Sequence, residues 1–269
     1  MRIASVGHGL FALTMIGLGI LGLTQGTFAP VWDPVPAWAP ARGDLIYLCA
    51  MVSLASGAGL LWRRTAASAA RLLLACLLLW LVVFRLPVFL HGITADGYWA
   101  ACETGAMVAG AWILYDWFAG DWDRRHLGFA TGGRGVRIAR VLYGLALIPM
   151  GISHFTYLRH TAEMVPRWLP WHVFWAGFFG GAFMAAGVAI VAGVFARVAA
   201  ALSVLEIALF LALVWAPVVA AGSASAFAWS ETIVSWALMA AAWVVADSYR
   251  GEPWFAVGAS RQQQAAQPL

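Results

Sequence analysis

The chain has 269 residues, of which 63% are hydrophobic and only 10% are charged. Soluble domains are about half apolar and a quarter charged, so this composition excludes an ordinary soluble enzyme and indicates an integral membrane protein. The net charge of +4 comes from arginines in short segments between apolar stretches, and it therefore does not indicate a nucleic-acid partner.

Eight apolar segments are long enough to cross a membrane as an α-helix, which takes about 20 residues. The first follows Arg2 like a signal peptide, but no clean cleavage pattern follows it, so we interpret it as a retained helix. The predicted fold is all-α, a polytopic protein among membrane lipids. The predicted spans are 5–24, 44–62, 69–90, 99–117, 137–156, 172–195, 198–219 and 229–247.

The two halves of the chain share landmarks in register. Pro36-Ala37-Trp38-Ala39-Pro40 returns 130 residues later as Pro166-Arg167-Trp168-Leu169-Pro170. Four helices in each half give both halves the same orientation, which predicts two parallel four-helix repeats. Further landmarks at an offset of 130 or 131 are Gly57 with Gly187, Pro87 with Pro217, Trp99 with Trp229, Trp112 with Trp243 and Asp116 with Asp247.

The predicted organisation has four parts. Residues 1–118 form the first repeat, 119–136 a cytoplasmic linker, 137–250 the second repeat and 251–269 a polar, disordered tail. Most arginines fall on the side of the two termini, so the positive-inside rule places both termini in the cytoplasm of a bacterial inner membrane. The Pro-Trp segments then face outward, where Trp168 and Trp171 belong either to a lid over a cavity or to an interfacial loop.

Ionisable residues from several helices are predicted to share one depth. Counting 1.5 Å per residue from the flanking arginines places Arg85 and His154 about 21 Å into the membrane. Glu103, Glu231 and His91 lie near the outer ends of their helices, at a similar height. Such a layer is either a closed ion-pair network or a polar pocket in which His154 exchanges a proton. Haem ligation by His91 and His154 is the least favoured interpretation.

Glu206 stands apart, about 13–14 Å from the cytoplasmic boundary. Proton relays in membranes usually contain several ionisable groups along one path, and the sequence shows one at this depth. We therefore expect its carboxyl group to form a hydrogen bond with a neighbour. The chain contains no phosphate loop, HExxH or Cys/His metal spacing.

Part of the second half resembles the DoxX-like membrane family. The resemblance rests on Gly151-Ile152-Ser153-His154-Phe155, Val165–Pro170, the glycine-rich stretch Gly177–Gly187 and Arg197, and it covers about residues 138–219. It is weaker over residues 9–118, where Thr24 and Gln25 stand roughly at the places of His154 and Phe155. The resemblance implies four-helix units and an association with quinone-linked redox complexes, or with maturation and assembly factors.

From the polar layer and the resemblance, we expect a membrane subunit of a quinone-linked oxidoreductase system that binds an isoprenoid quinone. The alternatives are a non-catalytic scaffold or assembly chaperone for a partner membrane or periplasmic protein, and a small-molecule transporter. The expected site has His154, Arg85, Glu103 and Glu231 as reacting or proton-tuning groups, and His154, Phe155, Trp168, Trp171 and His91 around the quinone.

Overall fold

The computed structural model describes residues 3–91, 95–222 and 224–257. Within these ranges 78% of the chain is helical and no strand is formed. Seven helices in the described ranges are long and apolar enough to cross a membrane. The eighth predicted span coincides with a 24-residue helix, Ala95–Phe118, which is not among these seven and contains Glu103 and Asp116.

The helices follow one another through short connections. The first half contains α1 (Val6–Gln25), α2 (Arg42–Leu60), α3 (Ala66–Trp80) with a π-helical turn (Leu81–Arg85) and a 3-10 turn (Leu86–His91), and α4 (Ala95–Phe118). The remaining helices are α5 (Asp121–His126), α6 (Gly132–Thr156), α7 (Leu158–Met164), α8 (His172–Ala192), α9 (Ala196–Phe210) with a π-helical turn (Leu211–Trp215), α10 (Ala216–Ala220) and α11 (Ala226–Ser248).

Glycines let the first two long helices of each half approach closely. A Cβ added at Gly57 on α2 would lie 2.6 Å from the Ala12 carbonyl oxygen of α1. A Cβ added at Gly187 on α8 would lie 2.6 Å from the Gly144 carbonyl oxygen of α6. Small residues at helix contacts are typical of membrane proteins, because backbones can then pack against each other. The α1–α2 and α6–α8 contacts thus use glycine at corresponding places.

The same crossing gives a residue-by-residue correspondence between the halves. A Cβ at Gly19 would meet Leu54, and a Cβ at Gly151 would meet Met184. The residues of α1 and α6 therefore correspond at an offset of 132, and those of α2 and α8 at 130. By this contact register Gly22, rather than Thr24, corresponds to His154. The expected alignment of Thr24 with His154 is shifted by two residues.

Backbone irregularities also recur between the halves. The π-helical turns at 81–85 and 211–215 lie 130 residues apart, and each interrupts the third long helix of its half. Such turns are rare in α-helices. Ala41 before α2 and Trp171 before α8 both have left-handed backbone angles, with φ of 49° and 60°. These features share the offset of the Pro-Trp segments.

The start of α1 and the end of α11 lie on one face of the bundle, which we call the termini face. The Gly7 N–H donates to Asp247 Oδ2 at 3.0 Å and thereby joins the start of α1 to the end of α11. In the same way, the Gly132 N–H at the start of α6 donates to Asp116 near the end of α4. Each acidic residue caps the first helix of the other half, and the two lie 131 residues apart in the sequence.

The linker and the tail contain more structure than the sequence predicts. The linker includes α5, and α6 begins at Gly132, inside the expected linker. Residues 251–257 of the expected disordered tail pack on the termini face: Arg140 Nη1 lies 2.7 Å from Glu252 Oε1, and Arg197 lies 4.1 Å from the ring centroid of Trp254. Residues 258–269 lie outside the described residues.

Candidate functional site

A cavity of about 340 Å³ lies among α4, α6, α7, α9 and α11, at the end of the bundle opposite the termini face. Its volume falls in the range of small-molecule sites. Large apolar side chains form much of its wall, and several polar groups point to it from different helices. Its aromatic lining residues are Trp99, Tyr157, Phe183, Phe210, Trp215 and Phe227.

Three residues of the expected polar layer line this cavity together. Glu103 comes from α4, His154 from α6 and Glu231 from α11. The first half thus contributes one carboxyl group and the second half contributes the other two groups. The sequence predicts these three residues at a similar depth, and in the structure their side chains line one cavity.

His154 can accept a hydrogen bond from a ligand. Its Nδ1 lies 2.9 Å from the Met150 carbonyl oxygen, and a carbonyl oxygen only accepts, so Nδ1 carries the proton. In the neutral ring Nε2 is then an acceptor. Space for this side chain comes from Gly180 on α8, where an added Cβ would lie 2.7 Å from the His154 Cβ.

The other polar groups of the cavity complete a distinct donor and acceptor pattern. Ser153 Oγ donates to the Met150 carbonyl at 2.6 Å, and Thr161 Oγ1 donates to the Tyr157 carbonyl at 3.1 Å, so both hydroxyl oxygens are left as acceptors. The buried indole N–H of Trp215 has no hydrogen-bond partner among the described residues. The cavity wall thus combines acceptors such as His154 Nε2 with a buried indole donor that has no partner among the described residues.

Arg85 does not join this group, which corrects the expected ion-pair network. Its guanidinium donates to the backbone carbonyl oxygens of Asp33 and Pro34 and to Thr104 Oγ1. Within the described part of the chain it forms no ion pair with Glu103 or Glu231. The physical reason is the nearby Pro-Trp segment of the first half, whose irregular backbone leaves carbonyl oxygens that need donors.

The expected aromatic contacts to the ligand lie elsewhere. Phe155, Trp168 and Trp171 are 48%, 70% and 76% exposed, and none of them lines the cavity. They lie on the outer surface, where lipid or headgroups would contact them. The side chain of His91 lies outside the described residues, although its backbone ends the 3-10 turn after α3.

Sequence reasoning missed a second, smaller cavity on the other side of His154. Its volume is about 60 Å³, and it is lined by His154, Phe183 and Glu206 together with apolar residues of α7, α8 and α9. Glu206 Oε1 is buried with no hydrogen-bond partner among the described residues. The expected hydrogen bond for that oxygen is therefore not formed. The sequence does not predict that Glu206 and His154 line one cavity, because their meeting depends on how each helix is rotated about its axis.

Comparison with models of protein families, with curated proteins and with solved structures finds no match to this chain. The fold and its apolar helices define a multi-pass α-helical membrane protein. A function for this chain is therefore inferred from its cavity and the side chains around it.

Proposed function

We propose that the large cavity binds the head group of an isoprenoid quinol, and that the protein is a membrane subunit of a quinone-linked oxidoreductase system. The observation that carries this proposal is the polar pattern around an aromatic cavity. His154 Nε2 and the carboxyl groups of Glu103 and Glu231 accept hydrogen bonds, and the Trp215 N–H donates one. A quinol hydroxyl both donates and accepts, so it matches this pattern.

The pattern fits the reduced quinol better than the oxidised quinone. Quinone oxygens only accept, so a quinone would leave the acceptor His154 Nε2 without a donor, whereas a quinol hydroxyl can donate to it. One quinol hydroxyl would donate to His154 and accept from Trp215, while the other would donate to Glu103 or Glu231. Aromatic side chains such as Phe210 would pack against the ring. When bound, the quinol supplies two electrons and two protons, and the residues of this chain orient it and accept the proton.

The test is a binding titration of a short-chain quinol analogue, followed by the tryptophan fluorescence of the detergent-purified protein. His154→Ala removes an acceptor and should weaken binding about tenfold or more. His126→Ala is the matched control, because His126 is exposed on α5 near the termini face. Equal affinity of wild type and His154→Ala would show that the site is assigned wrongly.

We also propose the topology that underlies this site: eight membrane spans arranged as two parallel DoxX-like repeats, with both termini in the cytoplasm of the bacterial inner membrane. The matched glycine contacts and π-helical turns support the repeat. Single cysteines placed at Trp38 and Trp168 should react with an impermeant maleimide from the same, periplasmic side, and a cysteine at His126 only from the opposite side. Labelling of Trp38 and Trp168 positions from opposite sides would contradict the parallel arrangement.

A scaffold or assembly role is the second candidate. The outer surface of α8 presents exposed aromatic residues near its start, among them Trp171, Phe174 and Phe178. This surface could pack against the helix of a partner membrane protein. Replacement of Phe174 and Phe178 by leucine should then release a co-purifying protein while quinol-analogue binding is kept. The scaffold role fails if no protein co-purifies with the wild type.

A further inference from the structure

Polar side chains continue from the cavity towards the termini face, through the interior of the second half. The first is Glu206 on α9, which is 7% exposed and whose Oε1 has no partner in the described part of the chain. The small cavity touches both Glu206 and His154. Its volume of about 60 Å³ has room for a water molecule, and His154, Thr161 and Glu206 are the polar residues of its otherwise apolar wall.

The next groups are two buried hydroxyls. Ser203 lies one helical turn before Glu206 on α9, so both side chains lie on the same helix face. Tyr143 Oη of α6 lies 2.9 Å from Ser203 Oγ. Ser203 Oγ donates to the Ala200 carbonyl at 2.8 Å, so Tyr143 is the donor between the two hydroxyls.

The series of groups ends at water on the termini face. Arg140 lies one turn before Tyr143 on α6, and its guanidinium lies 3.7 Å from the ring centroid of Tyr249. Arg140 also pairs with Glu252 at 2.7 Å, and Glu252 is partly exposed. We name the set His154, Glu206, Ser203, Tyr143, Arg140 and Glu252 the polar column.

The first half lacks the two hydroxyls of this column at the corresponding positions, although the buried His8 stands at the position that corresponds to Arg140. By the contact register, Tyr143 corresponds to Phe11, and Ser203 corresponds to Leu73 at an offset of 130. Phe11 and Leu73 are both fully buried in the hydrophobic core. Polar groups in a membrane interior are costly and usually functional, so the Tyr143–Ser203 pair, which the first half replaces by apolar residues, calls for a role beyond packing.

We propose that the polar column is a proton path between the quinol cavity and the termini face. The path rests on the proposed function only for the source of the proton. In the first step the ligand O–H bond breaks, an N–H bond forms at His154 Nε2, and a ligand anion remains. The imidazolium then gives a proton, through water in the small cavity, to one oxygen of the buried, neutral Glu206 carboxyl, and the proton on the other oxygen leaves towards Ser203.

The Ser203 and Tyr143 hydroxyls must turn from their resting hydrogen bonds, so that each accepts a proton on the side of Glu206 and releases its own towards water near Glu252. Each transfer moves one proton and no electron, so the path needs no oxidant of its own. Arg140 and Glu252 hold the exit end in place through their ion pair. A chain of hydrogen-bonding groups and waters of this kind is a usual form of proton transfer inside membrane proteins.

The test is proton conduction by the full-length protein in liposomes with a trapped pH-sensitive dye, driven by a potassium diffusion potential. Wild-type protein should acidify or alkalise the lumen faster than empty liposomes. Glu206→Gln keeps the side-chain shape but cannot carry the proton, so conduction should fall at least about tenfold. Tyr143→Phe should also reduce it. Glu163→Gln, a carboxyl change at an exposed residue of α7, is the matched control and should conduct like wild type.

Folding and ligand binding are measured on the same preparations. Glu206→Asp, which retains a carboxyl group, should keep measurable conduction, and Glu206→Gln should still bind the quinol analogue. Wild-type conduction no faster than that of Glu206→Gln overturns the proton path, even if analogue binding depends on His154. Conduction that depends on Glu206, in a protein that binds no analogue, keeps the path and rejects the proposed quinol.

Discussion

The two halves share a helix arrangement but differ in what fills it. In the first half Trp32 is 1% exposed, its indole donates to Ser53 Oγ at 3.0 Å, and its ring lies edge-on to Trp80 at 5.1 Å. At an offset of 130 the second half has Ala162, and the neighbouring Thr161 lines the large cavity. At this position a large side chain fills the space in the first half, and smaller side chains leave room for the cavity in the second half.

A second difference lies at the crossing of the first two long helices. In the first half Gly22 faces Ala50, where an added Cβ would lie 2.9 Å from the Ala50 Cβ. In the second half the corresponding residues are His154 and Gly180. The glycine at this crossing lies on α1 in the first half and on α8 in the second half. The space beside the α8 glycine holds the His154 imidazole. A histidine side chain at this crossing is thus compatible with the same close approach of the two helices.

The largest expected effect tests the filled half. Trp32→Ala removes a fully buried indole and its hydrogen bond to Ser53, so the free energy of unfolding should fall by about 3–5 kcal/mol. Denaturant unfolding in mixed micelles measures this. Trp168→Ala, at an exposed tryptophan of the second Pro-Trp segment, should change it by less than about 1 kcal/mol. Similar losses for the two variants would contradict the packing difference between the halves.

The next effect tests the shared crossing. Gly187→Ala places a methyl group against the Gly144 backbone, so helices α6 and α8 must separate, at a cost of about 1–3 kcal/mol. Gly181→Ala is the control, because no atom lies within 4 Å of its added Cβ. That variant should be neutral or more stable, since alanine favours a helix. Thermal unfolding of both variants in detergent tests whether α6 and α8 approach each other this closely.

A smaller effect tests the termini face of the first half, where Arg71 Nε and Nη2 each lie 2.9 Å from the Asp123 carboxylate. Burial acts to raise the pKa of Asp123, but the hydrogen bonds from Arg71 and the Gly120 N–H outweigh it and hold the pKa below its usual value. The charged form therefore contributes stability that is complete above the ordinary aspartate pKa and lost as pH falls through the lower folded-state pKa.

Asp123→Asn should therefore lower the free energy of unfolding by about 1–2 kcal/mol at neutral pH and lose this part of the acid sensitivity. The measurement is the midpoint of thermal unfolding as a function of pH, from neutral to below the usual range of aspartate. Asp121→Asn, an exposed neighbour on α5, serves as the control. A wild-type midpoint of thermal unfolding that does not fall even at the lowest pH would contradict a depressed pKa of Asp123.

The smallest expected effect tests the open half. Trp215→Phe removes the unused indole N–H from the cavity but keeps an aromatic wall, so it should cost one hydrogen bond to the ligand, about 0.5–1.5 kcal/mol. The dissociation constant of the quinol analogue should rise roughly threefold to tenfold. Trp236→Phe is the matched control, because the Trp236 indole already donates to Thr14. Unchanged affinity in Trp215→Phe would remove this donor from the proposed site.

The sequence predicts the helices and the depth of their polar residues well, because both follow from a fixed rise per residue. That is why the sequence alone predicts Glu103, His154 and Glu231 at a similar depth. Rotation about each helix axis is not fixed in this way, and Arg85, at the expected depth, turns to the loop carbonyl oxygens instead. Exact pairing of charged groups could therefore not be predicted.

The cavities depend on volume differences that apolar patterns do not show. Trp32 and Ala162 stand in register around the two Pro-Trp segments, and this contrast in size was the available indication of an open second half. The hydrogen bond between Tyr143 and Ser203 could not be found in this way, since both residues are uncharged and come from different helices. Structure within residues 251–257 was missed because it depends on Arg140 and Arg197, which are distant in sequence.

The most direct test of the proposed function is lipid-extract mass spectrometry of the purified protein, with wild type, His154→Ala and His126→Ala prepared side by side from native membranes. We expect about one isoprenoid quinone per chain in the wild type and in His126→Ala, and clearly less quinone in His154→Ala. Wild-type protein without quinone, or equal quinone in all three, would contradict a quinol site at this cavity.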